Sequence, residues 1–197
     1  MDKQIIISIS REYGSGGHEI AERIAKQFGL TLYDRSMLDE IAEAKNIQIE
    51  YLEKYDEKPR KLFGSRRVGA YTNSMEEIIA EMQFEYLKEK ADTGESFVIV
   101  GRCSETVLQD REGLISIFIL GDEQVKLERI MKKYNLDEQE AAAKIKRHDK
   151  NRRQYHNRHS TSKWGDSRAY DMCINDSKLG IEKTTETLAY FIEERMK

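Results

Sequence analysis

Gly14, Gly16 and Gly17 stand directly after the apolar run Ile5–Ile9 and directly before the amphipathic stretch HEIAERIAKQF. Glycines placed between a strand and a helix suit one chemistry well, the holding of an anion. They permit positive φ and let backbone N–H groups approach an oxyanion closely. The helix that follows turns its free N–H groups and the positive end of its dipole toward the same point. Further along, Arg102 follows Gly101 at the end of the apolar run Phe97–Val100. A guanidinium there has no apolar purpose, and its planar fork matches a phosphate. Asp34 ends the short run Thr31–Tyr33, and Lys144 to Arg158 holds seven basic residues against one acid, Asp149, in a chain of net charge −3. Basic charge concentrated on an acidic body points to a small polyanion as partner. No nucleic acid is expected, because the basic stretch is short and carries no stacking aromatic beyond Tyr155.

These groups need a frame, and the chain alternates strand and helix patterns. Ile5–Ser10 reads as a buried strand, His18–Phe28 as a helix closed by Gly29, and Thr31–Tyr33 as a short strand. Ser36–Ala44 is helical. Tyr55–Thr72 holds the only proline, Pro59, with two glycines and Lys58, Arg60, Lys61, Arg66 and Arg67, and reads as a mobile loop. Ser74–Thr93 is a long helix with Ser74 as N-cap and Glu77 completing a capping box. Phe97–Val100 and Leu114–Leu120 are strands, Asp122 caps a helix to Lys133, and Asp137–Arg158 is a long polar helix. Met172–Ile174 is the last strand and Gly180–Met196 the last helix. Such alternation implies an α/β fold with a parallel sheet covered on both faces. Ligands of these sheets bind beyond the carboxyl ends of the strands, where the glycine loop, Asp34, Arg102 and Asp176 all fall. At 197 residues the chain suits one domain. Its two cysteines, Cys103 and Cys173, have no metal spacing, and no leader or membrane-spanning run is read, so a cytoplasmic protein with no membrane partner is expected.

Five stretches together resemble the cytidylate kinase-like group of P-loop nucleoside monophosphate kinases: ISISREYGSGGHEIA, LYDRSML, VIVGRC, KIKRHDKNRR and WGDSRAYDMCINDSKLGIE. The resemblance covers nearly the whole chain. It implies a P-loop NTPase-like three-layer α/β/α domain over 1–197, with a mobile monophosphate-binding region at 35–93 and a helical basic lid at 137–163. It implies transfer of the γ-phosphoryl of ATP, with Mg²⁺, to CMP, dCMP or a related small molecule. Arg11, Tyr13, Gly14, Ser15, Gly16, Gly17, His18, Glu19 and Asp176 would then hold the donor. Arg11, Asp34, Arg102, Arg147, Asp149, Arg152 and Arg153 would serve catalysis, and no residue is assigned as a metal ligand. The chain departs from the group's loop, G-x-x-G-x-G-K-G-T, at Arg11 for the first glycine, Gly17 for the lysine and Glu19 for the threonine. A degenerate module that holds a nucleotide or phosphate without turnover is the alternative.

Each residue also has a plainer role. Arg11 supplies the missing cation or is a solvated loop arginine; His18 reads first as an ordinary first-turn residue. Arg102 grips an acceptor phosphate or pairs with a neighbouring acid. Asp34 orders Mg²⁺ or water, orients Arg11, or caps the helix after it. Arg147, Asp149 and Arg152 need a loop-like or closing lid to converge, and otherwise form a solvated face. Asp176 contacts adenine or makes a turn. Arg60, Lys61, Arg66 and Arg67 reach the acceptor or are exposed charge. His148 and His159 lie about 16 Å apart along one helix and cannot share an ion. Trp164 reads as a packing anchor. Homo-oligomerisation is left open.

Overall fold

The computed structural model describes residues 3–56, 67–68, 71–72 and 74–197. The loop expectation built on Lys58, Pro59, Arg60, Lys61 and Arg66, and the side chain of Arg67, lie outside the described residues.

The alternating pattern folds as expected. Strand β1 (Ile6–Arg11) leads through the glycine loop into α1 (Gly17–Phe28), then β2 (Thr31–Tyr33), α2 (Met37–Lys45) and α3 (Ile49–Tyr55). A two-stranded antiparallel ribbon, β3 (Arg67–Val68) and β4 (Tyr71–Thr72), precedes α4 (Met75–Asp92). Then follow β5 (Phe97–Val100), the single turn α5 (Ser104–Val107), β6 (Leu114–Leu120), α6 (Glu123–Tyr134), α7 (Glu138–His159), β7 (Met172–Asn175) and α8 (Gly180–Met196). The strands order as β2-β5-β1-β6-β7, all parallel. None of the described helices is long and apolar enough to cross a membrane.

Side-chain alternation along the strands divides the core. Phe97 and Ile99 of β5, with Ile6, pack against Met37, Leu38 and Ile41 of α2, Leu52 of α3 and Ile79 and Leu87 of α4. Ile7 and Ile9, Val98 and Val100, and Ile115, Ile117 and Ile119 face the opposite way, onto Ile20 and Ile24 of α1 and Leu188 and Ile192 of α8. Both faces are covered, so the near-continuous apolar strands β1, β5 and β6 bury almost completely, while the edge strands β2 and β7 do so only in part. β1 lies between β5 and β6, which puts the glycine loop at the middle of the sheet's carboxyl edge.

Four local expectations are corrected. Ile49–Tyr55 forms α3, so Tyr55 ends a helix instead of opening a loop; buried Leu52 ties that helix to the core. Ser74 does not close a capping box: its hydroxyl donates to Glu76, while the Glu77 carboxylate takes Arg158 of α7 at 2.9 Å. Asp122 precedes α6 without capping it by its side chain, since its carboxylate accepts from Asn175 and Lys178. Asp34 likewise does not cap α2; Ser36 is the N-cap and donates its N–H to Asp34 at 2.8 Å. In each case a tertiary partner or a turn outcompetes the local cap.

Phe97 is fully buried in the core layer that also holds side chains of α2, α3 and α4. Phe97→Ala is expected to lower stability by about 3–5 kcal/mol, read from the shift in urea midpoint.

Candidate phosphate-binding site

The loop after β1 turns tightly on two left-handed glycines, Gly14 at φ +88° and Gly16 at φ +74°. Ser15 lies fully buried between them and donates its hydroxyl to the Glu12 carbonyl at 2.9 Å. The Ser15 hydroxyl therefore faces inward to close the turn. Space is the second reason for glycine here. A Cβ on Gly14 would meet Lys126 and Ile130 at 3.2 Å, and one on Gly16 would meet Ile181 at 3.0 Å.

Helix α6 braces the loop from behind. Lys126 Nζ donates to Glu12 Oε2 at 2.7 Å, and the same carboxylate accepts the Gly121 N–H at 3.2 Å. Arg129 spans two partners, donating to the Gly14 carbonyl at 2.6 Å and to Asp176 at 2.9 Å. Asp176 is fully buried. Burial pushes its carboxyl above the ordinary range, with Arg129 pulling the other way. Asp176 thus opens a turn, the second of its two readings, and shapes the loop through Arg129.

Helix α7 lies across the front. It runs unbroken from Glu138 to His159, its N-terminus fixed by a capping box between Asp137 and Glu140. Asp149 Oδ1 accepts the Tyr13 N–H at 2.7 Å, and Arg152 donates to the Arg11 carbonyl at 3.2 Å. The His148 ring stacks on Tyr13 at 4.1 Å, and the Arg152 guanidinium lies 5.4 Å from the centre of the same ring. Three residues apart, Asp149 and Arg152 share one helix face. They meet the loop from regular helix, and Arg147 does not join them, as expected of an unbroken helix that cannot bring all three together. Arg153 is on another face, 5.5 Å over Trp164, and Trp164 packs edge-on against Phe118 at 5.3 Å as the expected anchor. Arg147 is exposed. Burial pushes the Asp149 carboxyl up, offset in part by the Tyr13 N–H, Lys126 and Arg152. Burial and then the neighbouring Tyr134 phenol push the Tyr13 phenol above its ordinary value.

Two cavities meet at this loop. The first, of about 560 Å³, is lined by Gly14, Gly16, Gly17, Glu19, Arg129 and Lys133 among others. The second, of about 500 Å³, is lined by Asp34, Arg35, Asp56, Arg102, Lys144 and Asn151 among others. Arg11, Tyr13, His18, Tyr134 and Arg152 line both. Arg147, Arg153 and Asp176 line neither.

Arg102 sits on three successive left-handed residues, Gly101, Arg102 and Cys103, at φ +79°, +62° and +52°. Two of these are not glycine, a strain that concentrates at functional sites. Its fork holds Asp56 with both terminal nitrogens, NH2 at 3.0 Å from Oδ2, and the pair is almost wholly buried. The ion-pair reading of Arg102 is thus the one observed. His18 also has a definite partner, Asp34 at 2.7 Å. Burial alone would raise the Asp34 carboxyl, but the Ser36 N–H and His18 outweigh it and hold the group below its ordinary value. Glu19 pairs with Arg23 at 2.8 Å, one helical turn further along α1. Among the described residues no group of three or more His, Cys, Asp or Glu stands together as a metal site.

Sequence reasoning missed Lys126, Arg129 and Lys133, although their spacing places cations along one side of α6. It also missed Arg35, Asp56 and the buried pair of Glu105 and His156, 2.7 Å apart. Nothing local marks a pair 51 residues apart in sequence.

The fold is that of P-loop kinases. A shikimate kinase from Bacteroides thetaiotaomicron superposes with a TM-score of 0.57 at 13% identity, covering 96% of this chain and 98% of that one. A sugar kinase from Janibacter sp. HTCC2649 does so with a TM-score of 0.52 at 16% identity, covering 96% and 95%. An uncharacterized protein from Eubacterium ventriosum ATCC 27560 is 38% identical, with a TM-score of 0.76 over 96% of this chain and 99% of that one. A search of curated protein sequences found no match. The model of the cytidylate kinase-like family matches residues 6–178, and the chain belongs to that family. Family and fold support a phosphotransfer function.

Two outcomes follow from the geometry. A Cβ on Gly17 would lie 2.6 Å from the Arg11 Cβ. Gly17→Ala and Gly17→Lys are both expected to cost about 1–3 kcal/mol by overpacking, seen as lower Tm, and the added lysine does not repair the loop. Asp34 has a depressed folded pKa, so its ionised-state contribution is complete above the unfolded value of 3.8 and fades as pH falls through the folded value. The stability gap between wild type and Asp34→Asn should narrow over that acid window in pH-dependent denaturation.

Proposed function

We propose that the chain transfers the γ-phosphoryl of ATP to a nucleoside monophosphate of the CMP or dCMP kind, or to a related phosphorylated small molecule. One observation carries the reading: two cavities of about 560 and 500 Å³ share a wall that includes Arg11 and Arg152. Phosphoryl transfer needs two substrates in line and positive charge where the phosphoryl passes between them. The glycine loop N–H groups, Arg129 and Lys133 would hold the triphosphate. Arg35, Arg102 and Lys144, with region 35–93, would take the acceptor. Arg152, carried on region 137–163 as a lid, would sit over the transferring group with Arg11. An acceptor oxygen bonds to the γ-phosphorus, the bond to the β,γ-bridging oxygen breaks, and ADP leaves. Charge on the equatorial oxygens is met by fixed guanidinium and amide groups.

A magnesium ion fits this donor set, since such ions take most ligands from phosphate and water and only one or two carboxylates from protein. Glu19 and Asp34 line the two cavities and would face it. When bound with the triphosphate it would neutralise charge on the phosphate oxygens.

A second reading, a module that holds nucleotide without turnover, is favoured by one feature. The Arg11 stem packs where a side chain at Gly17 would go, so the lysine position is closed. One experiment separates the two. The protein is incubated with ATP, Mg²⁺ and a panel of nucleoside monophosphates, and diphosphate product is followed. The kinase reading expects product with a pyrimidine monophosphate, and a fall in kcat of roughly 10³-fold or more for Arg152→Ala. Nucleotide-dependent rise in Tm without product supports the holding module. No rise with any nucleotide or with phosphate overturns the anion site.

A further inference from the structure

The acceptor cavity contains an anion already, supplied by the chain. Asp56, at the end of α3, lies bidentate in the Arg102 fork, with its carboxylate also accepting Gln83 Nε2 at 3.0 Å. Arg35 Nε stands 3.9 Å from Asp56 Oδ2, while the other end of Arg35 reaches Glu53 at 3.2 Å. Two guanidiniums and an amide thus converge on one carboxylate in a site where Arg102 and Asp56 are 4% and 8% exposed.

We infer that Asp56 is an internal surrogate for the acceptor's anionic group, and that displacing it selects phosphate monoesters over carboxylates and neutral alcohols. This rests on the acceptor side assigned under the proposed function. Replacing one bidentate carboxylate by another leaves the charge between Arg35 and Arg102 unchanged and gains little. A neutral hydroxyl compound leaves a buried guanidinium without its anion, which is costly. A phosphate monoester, with a second pKa of about 6, brings nearly two charges at neutral pH and three acceptor oxygens. It alone offers both arginines more than Asp56 does. Asp56 must swing out when it binds, taking the end of α3 with it. Asp56 is therefore a specificity-determining residue that acts through Arg102.

The test measures binding of CMP, inorganic phosphate and acetate to wild type, Asp56→Asn and Gln83→Met by calorimetry and thermal shift, with ATP as control. Asp56→Asn is expected to melt lower without added anion, to be restored by phosphate, and to bind CMP and phosphate at least about tenfold more tightly. Its acetate affinity should also become measurable, because the competing carboxylate is gone, while ATP affinity stays as in wild type. Gln83→Met keeps every charge but removes one donor from Asp56, and should raise CMP affinity a few-fold. It carries the test if Asp56→Asn does not fold. Unchanged or weaker CMP and phosphate binding in the variants overturns the inference. Tighter phosphate binding by the variants, in a protein that turns over no monophosphate, upholds the surrogate and overturns the proposed reaction instead.

Discussion

The glycine loop keeps its shape because Arg129 is clasped between the Gly14 carbonyl and the buried Asp176 carboxylate. Glycines alone would leave the loop many conformations. Arg129 selects one, and the Lys126–Glu12 pair beside it fixes the turn's first residue to the start of α6. Buried pairs of this kind add little net stability, yet losing one partner strands a charge. Their contribution is to specify one arrangement. In this chain the cations that order the loop come from behind it, on α6, while no ammonium enters from the loop's own helix.

A second set of contacts ties α7 to the front of the same loop. Asp149 takes the Tyr13 N–H, His148 stacks on the Tyr13 ring, and about two turns further on His156 is bound to Glu105 inside the core. Glu105 also accepts from Ser10 at 3.3 Å, the residue just before Arg11. The end of β1, the turn α5 and the basic helix are therefore positioned against one another by polar groups that are almost fully buried. Where hydrophobic packing sets distances between sheet and helices, these groups set rotation and register.

Much of the frame was legible in the sequence. Strand and helix alternate with clean apolar periodicity, and Gly29 closes α1 in the left-handed conformation expected of a C-terminal glycine. The strand ends announce Arg102 and Asp34 by setting polar groups after β-branched runs. The site was less legible, for one physical reason: its decisive partners are distant in sequence. Asp56 meets Arg102 across 46 residues and Glu12 meets Lys126 across 114. Capping rules failed at Ser74 and Asp122 in the same way, because Arg158, Asn175 and Lys178 claim the local carboxylates from elsewhere. Asp176 was visible as a chemical group, but its burial and its place as brace belong to the tertiary structure alone.

The brace from Asp176 also has a temporal side. The glycine loop is made among the first twenty residues, yet the carboxylate that sets Arg129 against Gly14 arrives only with residue 176. A chain emerging from the ribosome carries the loop long before it carries the clamp. The contact that joins Gly14 through Arg129 to Asp176 therefore spans almost the whole chain, and it can close only after its last member has been made.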